Sequence, residues 1–191
     1  MISAVIGAGS WGTALASVLA TKGPVRLWCR DPKMVEPFNA NHANPRYQTD
    51  VKLSEKIRAT PRLEEALSGA DLVCTVVPSH AMRSVMTAAA PHLSAGIPII
   101  CAAKGIENQT LMTMEEVLTE VLPREVRGEL AFLSGPSFAR ETLLKMATAV
   151  TIAARFPDIG RRAQNAFTAP YFRVYTTEDV TGVELGGALK N

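Results

Sequence analysis

Gly7, Gly9 and Gly12 stand in G-x-G-x-x-G spacing, with Ser10 and Trp11 between the second and third. Glycines so spaced can receive a pyrophosphate. The first lets the chain turn sharply out of a strand, the second lets a phosphate approach the backbone, and the third lets the following helix pack close. The N–H groups from Ser10 to Gly12 then face the anion along the positive end of a helix dipole. The alternative is an empty structural turn, but its flanks favour a ligand site: the apolar run 2–6 reads as a strand, and Ala14-Leu15-Ala16 begins a helix. Arg30 and Asp31 follow at about the 20-residue distance where an acid bonds the ribose of NAD and an arginine accommodates the 2′-phosphate of NADP. Arg30 comes first, which favours NADPH over NADH. The other reading is a solvated Arg30 and an Asp31 that caps a helix beginning at Pro32.

These groups need a frame, and the chain supplies a sustained β–α alternation. After the first strand and helix, residues 25–29 read as a strand, 32–41 as a weak helix, and 41–57 mainly as a loop carrying Asn44-Pro45-Arg46-Tyr47. A loop of that length in a compact domain is often functional. Residues 56–60 follow as a strand, 61–67 as a helix capped by Thr60 with Pro61 at its first position, and 71–77 as the strongest buried strand. A helix from Pro78-Ser79-His80 to Ala90 and a strand over 97–102 continue the pattern. Right-handed crossovers place these strands in one parallel sheet. A helix over 110–122, a strand over 129–133, a strand over 148–154, a helix over 158–167, a strand over 172–175 and a helix from about 178 complete the chain. The fold class is α/β: a doubly wound, mostly parallel Rossmann-type sheet with helices on both faces. Ligands in such sheets sit beyond the carboxyl ends of the strands, where loops 7–12, 30–31, 77–83 and 103–107 should converge.

Composition fits this frame. With 191 residues, 47% of them hydrophobic, the chain can bury one large core. Its 20 basic and 18 acidic residues are spread without blocks, so no footprint for nucleic acid or an anionic membrane stands out, and a small anionic ligand is expected. Cys29, Cys74 and Cys101 lie in apolar strand-like runs and form no C-x-x-C pair, as reduced core residues of a cytoplasmic protein do. No metal site is expected. No run of about 18 apolar residues suggests membrane insertion.

Five stretches together carry a resemblance. They are Gly7-Ala8-Gly9-Ser10-Trp11-Gly12-Thr13-Ala14, Val77-Pro78-Ser79-His80, Lys104-Gly105-Ile106-Glu107, Leu133-Ser134-Gly135-Pro136-Ser137-Phe138-Ala139, and Glu184-Leu185-Gly186-Gly187-Ala188-Leu189-Lys190-Asn191. In that order and spacing the chain resembles the NAD(P)-dependent glycerol-3-phosphate dehydrogenases of bacterial type. The resemblance implies interconversion of dihydroxyacetone phosphate and sn-glycerol 3-phosphate, feeding glycerophospholipid synthesis. It puts Ser10, Trp11, Arg30 and Ala139 on the cofactor, Lys104 on cofactor and substrate, Gly135 and Ser137 on the substrate, and makes Lys190 the proton acceptor. It also implies that residues 1–177 form the dinucleotide domain and that 178–191 begin the helix leading into a C-terminal helical substrate domain. The sequence ends without a breaker and looks cut, so these residues are expected to bind cofactor with little turnover and, through exposed apolar surface, to self-associate, a homodimer included. The pattern departs from the family after Tyr47, where Gln48-Thr49-Asp50 replaces the usual Leu-Pro.

The chemistry suits lysines. Ketone reduction needs a proton delivered to the oxygen as hydride reaches the carbon, and a lysine serves when desolvation or a second cation lowers its pKa. Lys104 could be that second cation beside Lys190, and Gly186 and Gly187 carry no side chains to block an approaching ligand. Ser137 would donate to the substrate or, otherwise, cap a strand-to-helix turn. His42, His80 and His92 read as surface or helix-start residues, Glu64, Glu65, Glu115 and Glu116 as solvated helix faces, and Met112 and Met114 as packing. Two other functions stay open: a related dehydrogenase of β-hydroxy acids, and a non-catalytic NAD(P)-sensing module.

Overall fold

The computed structural model describes residues 1–190; Asn191, the last residue of the fifth stretch, lies outside the described residues. Eight strands and eight α-helices alternate: β1 (Ser3–Ile6), α1 (Ser10–Leu19), β2 (Val25–Trp28), α2 (Val35–Asn41), β3 (Ile57–Thr60), α3 (Leu63–Leu67), β4 (Leu72–Thr75), α4 (Ser79–Ala89), β5 (Ile99–Cys101), α5 (Met114–Val121), β6 (Leu130–Ser134), α6 (Ala139–Leu143), β7 (Thr148–Ala153), α7 (Pro157–Phe167), β8 (Phe172–Thr177) and α8 (Val180–Leu189). They form one sheet in the order β3-β2-β1-β4-β5-β6-β7-β8. Strands β1 to β6 are mutually parallel, whereas β7 runs antiparallel to β6 and β8 parallel to β7. The order reverses between β1 and β4, which opens a crevice at their carboxyl ends.

Alternation along the strands builds two cores. Val5, Leu27, Cys74, Ile100, Leu133 and Ile152 face one layer with α1 and α7 residues such as Leu15 and Phe167. Ala4, Ile6, Val73, Ile99, Cys101 and Phe132 face the other, against Met82 and Met86 of α4 and Val117 and Leu118 of α5. Successive side chains of a strand point to opposite faces, so a sheet covered on both sides reads as continuous apolar runs. The three cysteines are buried and unbridged. No helix among the described residues is long and apolar enough to cross a membrane.

Two of the helix starts that differ from the sequence expectation have a clear physical cause. Helix α3 begins at Leu63 with Arg62 as its N-cap residue and no capping side chain. Thr60 instead ends β3, accepts from Arg62 N at 3.3 Å and donates to the Glu65 carboxylate, so pairing within the sheet overrides its cap propensity. Helix α5 begins at Met114, not at residue 110. Thr113 and Glu116 form a reciprocal capping box that fixes the start there.

Gly12 shows how tightly α1 sits on its strand. A Cβ at Gly12 would overlap the Gly7 carbonyl oxygen, and Gly7, at φ 120°, lies against the backbone of Val76 and Val77. Gly12→Ala should therefore destabilise the fold by about 2 kcal/mol or more, measured as a lowered urea midpoint by circular dichroism. An unchanged midpoint would contradict the close packing of loop and helix.

Candidate functional site

Helix α1 opens with Gly9 at its N-cap, no capping side chain and no acidic residue in its first turn. Its leading N–H groups therefore face outward without an internal partner from their own side chains, which suits an anion. A Cβ at Gly9 would meet nothing within 4 Å, so this glycine borders open space and not protein. That space is a cavity of about 510 Å³ lined by Gly7, Gly9, Ser10, Trp11 and Gly12, by Arg30 and Asp31, by Val77, Pro78 and His80, and by Arg46 and Tyr47. A dinucleotide fits these residues: close backbone approach at Gly9, free amides at the helix start, and cations farther along. The Asp31 carboxylate accepts from Lys33 N at 3.1 Å and caps the turn that begins at Pro32. Arg30 is exposed and makes no ion pair among the described residues. Arg46 and Tyr47 were missed as site residues in the sequence; only the length of their loop signalled a role.

Beside this crevice the structure gathers a second group. Lys104, just past β5, donates from Nζ to the Gly135 carbonyl at 3.2 Å, and Lys190, just past α8, donates from Nζ to the Ser137 carbonyl at 3.1 Å. Lys104 Nζ lies 5.8 Å from the Trp11 ring centroid and so links the two groups. Lys190 Nζ lies 4.6 Å from the Phe138 ring centroid. Burial, then the neighbouring Lys190 ammonium, pushes the Lys104 pKa down to about 8. The turn that receives both lysines is self-contained: Ser137 N donates to Gly135 O at 2.9 Å and Ser137 Oγ lies 3.5 Å from the same oxygen. Gly135 and Ser137 thus hold the lysines through their carbonyls. A cavity of about 390 Å³ lies against Ser134, Gly135, Gly186 and Lys190.

The lysines are held from behind by carboxylates. Glu107, buried three residues after Lys104, accepts from Arg83 Nε at 3.0 Å, Arg83 Nη2 at 2.8 Å and Thr110 Oγ1 at 2.6 Å, which ties the Lys104 loop to α4. Glu184 of α8 accepts from Glu115 N at 2.9 Å at the start of α5. Burial pushes its pKa up to about 6. Glu115 is not on a solvated face: its side chain is 17% exposed and takes two bonds from Arg155, at 2.6 and 2.7 Å. Adjacent glutamates looked solvated in sequence because the partner lies 40 residues away. Gly187 packs against Ser134 of β6, where a Cβ would fall 2.6 Å from Oγ, so its role is helix–sheet approach; Gly186 alone faces open space. Ala139, at the start of α6, packs on the core cluster that includes α1 and does not line the nucleotide-sized cavity.

Known proteins share the sequence pattern and the fold of this chain. Residues 3–159 match the family described as NAD-dependent glycerol-3-phosphate dehydrogenase N-terminus. The glycerol-3-phosphate dehydrogenase [NAD(P)+] of Myxococcus xanthus is 50% identical over 192 residues, covering 100% of this chain and 57% of that protein. Its counterpart in Geobacter metallireducens is 50% identical over 188 residues, covering 98% and 56%. The crystal structure of glycerol-3-phosphate dehydrogenase from Coxiella burnetii superposes with a TM-score of 0.88 at 35% identity, over 97% of this chain and 56% of that one. The chain thus spans little more than half the length of the curated relatives it matches.

A lysine whose native pKa lies near 8 instead of 10.5 binds fewer protons folded than unfolded between those values. Stability from this group therefore rises as pH climbs from about 8 to 10.5, and its charge is a liability below 8. Lys104→Met should remove that rise and lift the unfolding midpoint at pH 7 by about 2–4 °C, the shift for ~1 kcal/mol in a chain of this size with the partly exposed charge screened. A scan of both proteins across pH 7–10.5 checks this, and parallel curves would contradict it.

Proposed function

The chain belongs to the NAD-dependent glycerol-3-phosphate dehydrogenase family, and from that premise we propose that it forms the nucleotide-binding part of an enzyme that reduces dihydroxyacetone phosphate to sn-glycerol 3-phosphate with NADPH. The single observation that carries the reading is the adjacency of an uncapped, glycine-lined helix start to a lysine pair, joined at Trp11. Because the chain spans 57% of its Myxococcus relative, the reaction is proposed for the protein at the relatives' length.

The pyrophosphate would lie on the amides of Ser10, Trp11 and Gly12, with Gly7 and Gly9 keeping the backbone open to it. Preference for the 2′-phosphate is supported by Arg30, free of ion pairs among the described residues, and by Asp31, whose carboxylate caps a turn instead of awaiting a ribose. When bound, NADPH supplies the hydride that goes to the carbonyl carbon. Lys190 gives its proton to the carbonyl oxygen as negative charge develops there, and in the reverse direction accepts it. Lys104 lies where its charge would polarise the same oxygen. Gly135 and Ser137 would keep the substrate between the lysines, while Ala139, which packs on the core outside the nucleotide-sized cavity, would act only through the placement of α6.

Calorimetric titration of the 191-residue chain with NADPH and with NADH tests the cofactor reading. NADPH should bind more tightly, and Arg30→Ala should reduce its affinity by about tenfold, one charge-assisted bond, while leaving NADH nearly unaffected. Gly9→Ala should leave stability unchanged within about 0.5 kcal/mol but weaken both nucleotides. At the relatives' length, loss of NADPH absorbance with dihydroxyacetone phosphate should fall by at least ~100-fold in Lys190→Met. Equal binding of both nucleotides to Arg30→Ala and to the parent, or turnover independent of Lys190, would contradict the assignment.

A further inference from the structure

The segment between α2 and β3 takes no part in the chemistry described above, yet side chains anchor it at both ends. Asn44 is fully buried in a loop. Its Nδ2 donates to the Ala8 carbonyl at 2.9 Å and to Thr13 Oγ1 at 2.8 Å, while its Oδ1 accepts from Arg46 N at 3.0 Å and Tyr47 N at 2.9 Å. An amide side chain has two donor hydrogens and two acceptor lone pairs, and here all four are used. One side chain thus binds the middle of the glycine loop, the first turn of α1 and the two residues that reach the crevice from outside, Arg46 and Tyr47.

The far end of the segment is held too. Arg140 of α6 donates to both carboxylate oxygens of Asp50, at 3.0 and 2.8 Å, and to Gln48 Oε1 at 3.2 Å. These partners, Gln48 and Asp50, lie directly after Tyr47, so the clasp closes the stretch that carries Arg46 and Tyr47. Leu53 N donates to the His42 carbonyl at 2.8 Å and closes the segment into a compact loop.

We propose that residues 42–53 are a preset wall of the nucleotide crevice, in which Asn44 and Arg140 act as positioning residues that hold Arg46 and Tyr47 toward the adenosine end of the ligand. The inference rests on the nucleotide reading of the crevice. Arg46 stands on the same cavity as Arg30, and two arginines on one cavity suit the phosphorylated ribose of the ligand. The cost of ordering this loop is met in the free protein, which leaves less entropy to lose on binding.

The test is calorimetric titration of the whole chain with 2′,5′-adenosine bisphosphate. Asn44→Ala should weaken binding about tenfold, because its loss frees the loop that carries Arg46. Arg140→Gln, at an exposed pair, should weaken it about two- to fivefold with the unfolding midpoint unchanged. Each loss should largely vanish against an Arg46→Met background, since a residue acting through Arg46 has nothing left to position. If Asn44→Ala does not fold, Arg140→Gln and Asp50→Asn carry the same test from the surface. Unchanged affinity in the folded variants, or losses that add in full to that of Arg46→Met, would overturn the positioning role. Failure of the parent chain to bind the probe at all would overturn the nucleotide reading instead.

Discussion

The absence of a side chain at Gly12 sets the rest of the structure. Because the Gly7 carbonyl occupies the place a Cβ would take, α1 lies down on β1 and β2 with its first amides at the carboxyl edge of the sheet. A side chain there would force α1 away from the glycine loop. The sheet then does what a doubly wound order dictates, opening its cleft where β1 and β4 diverge in connection. Nucleotide recognition therefore begins as a packing constraint, and the charge arrangement follows from it.

Placing two ammonium groups close together is unfavourable in itself, and the chain offsets it locally. Gly135 and Ser137 offer carbonyl oxygens to Lys104 and Lys190, and Trp11 and Phe138 offer ring faces. Glu107 and Glu184 do not neutralise the lysines directly; they fix the segments that carry them, against Arg83 and against the start of α5. In the proposed reaction such a pair would gain its use when an anionic substrate or a developing alkoxide enters between the charges.

The frame was legible in the sequence because its signals are local. Strand runs, the glycine turn and the cap at Asp31 depend on residues a few positions apart, and they fall where periodicity and turn chemistry put them. The helix start at Leu63 was not, because Thr60 is taken by the sheet and by Glu65. The reversal at β7 was not legible either, since no residue in a strand states its direction. What escaped at the site escaped for one reason: partners distant along the chain. Asn44 meets Ala8 and Thr13 36 and 31 residues away, Glu115 meets Arg155 40 away, and Arg140 meets Asp50 90 away. In sequence each looks like an ordinary polar residue. Gly187 looked like space left for a ligand and is space left for Ser134.

The most direct measurement of the central claim, that the glycine-lined start of α1 and the lysine pair form one continuous site, is a crystal structure of the chain with NADPH. Pyrophosphate oxygens should lie within hydrogen-bond distance of the amides of Ser10 to Gly12, the 2′-phosphate beside Arg30 and Arg46, and the nicotinamide should be directed past Trp11 toward Lys104. Nucleotide seated elsewhere, for instance in the larger depression of about 820 Å³ along Arg26, Lys56 and Arg58, would contradict it, as would a nicotinamide pointing away from the lysines.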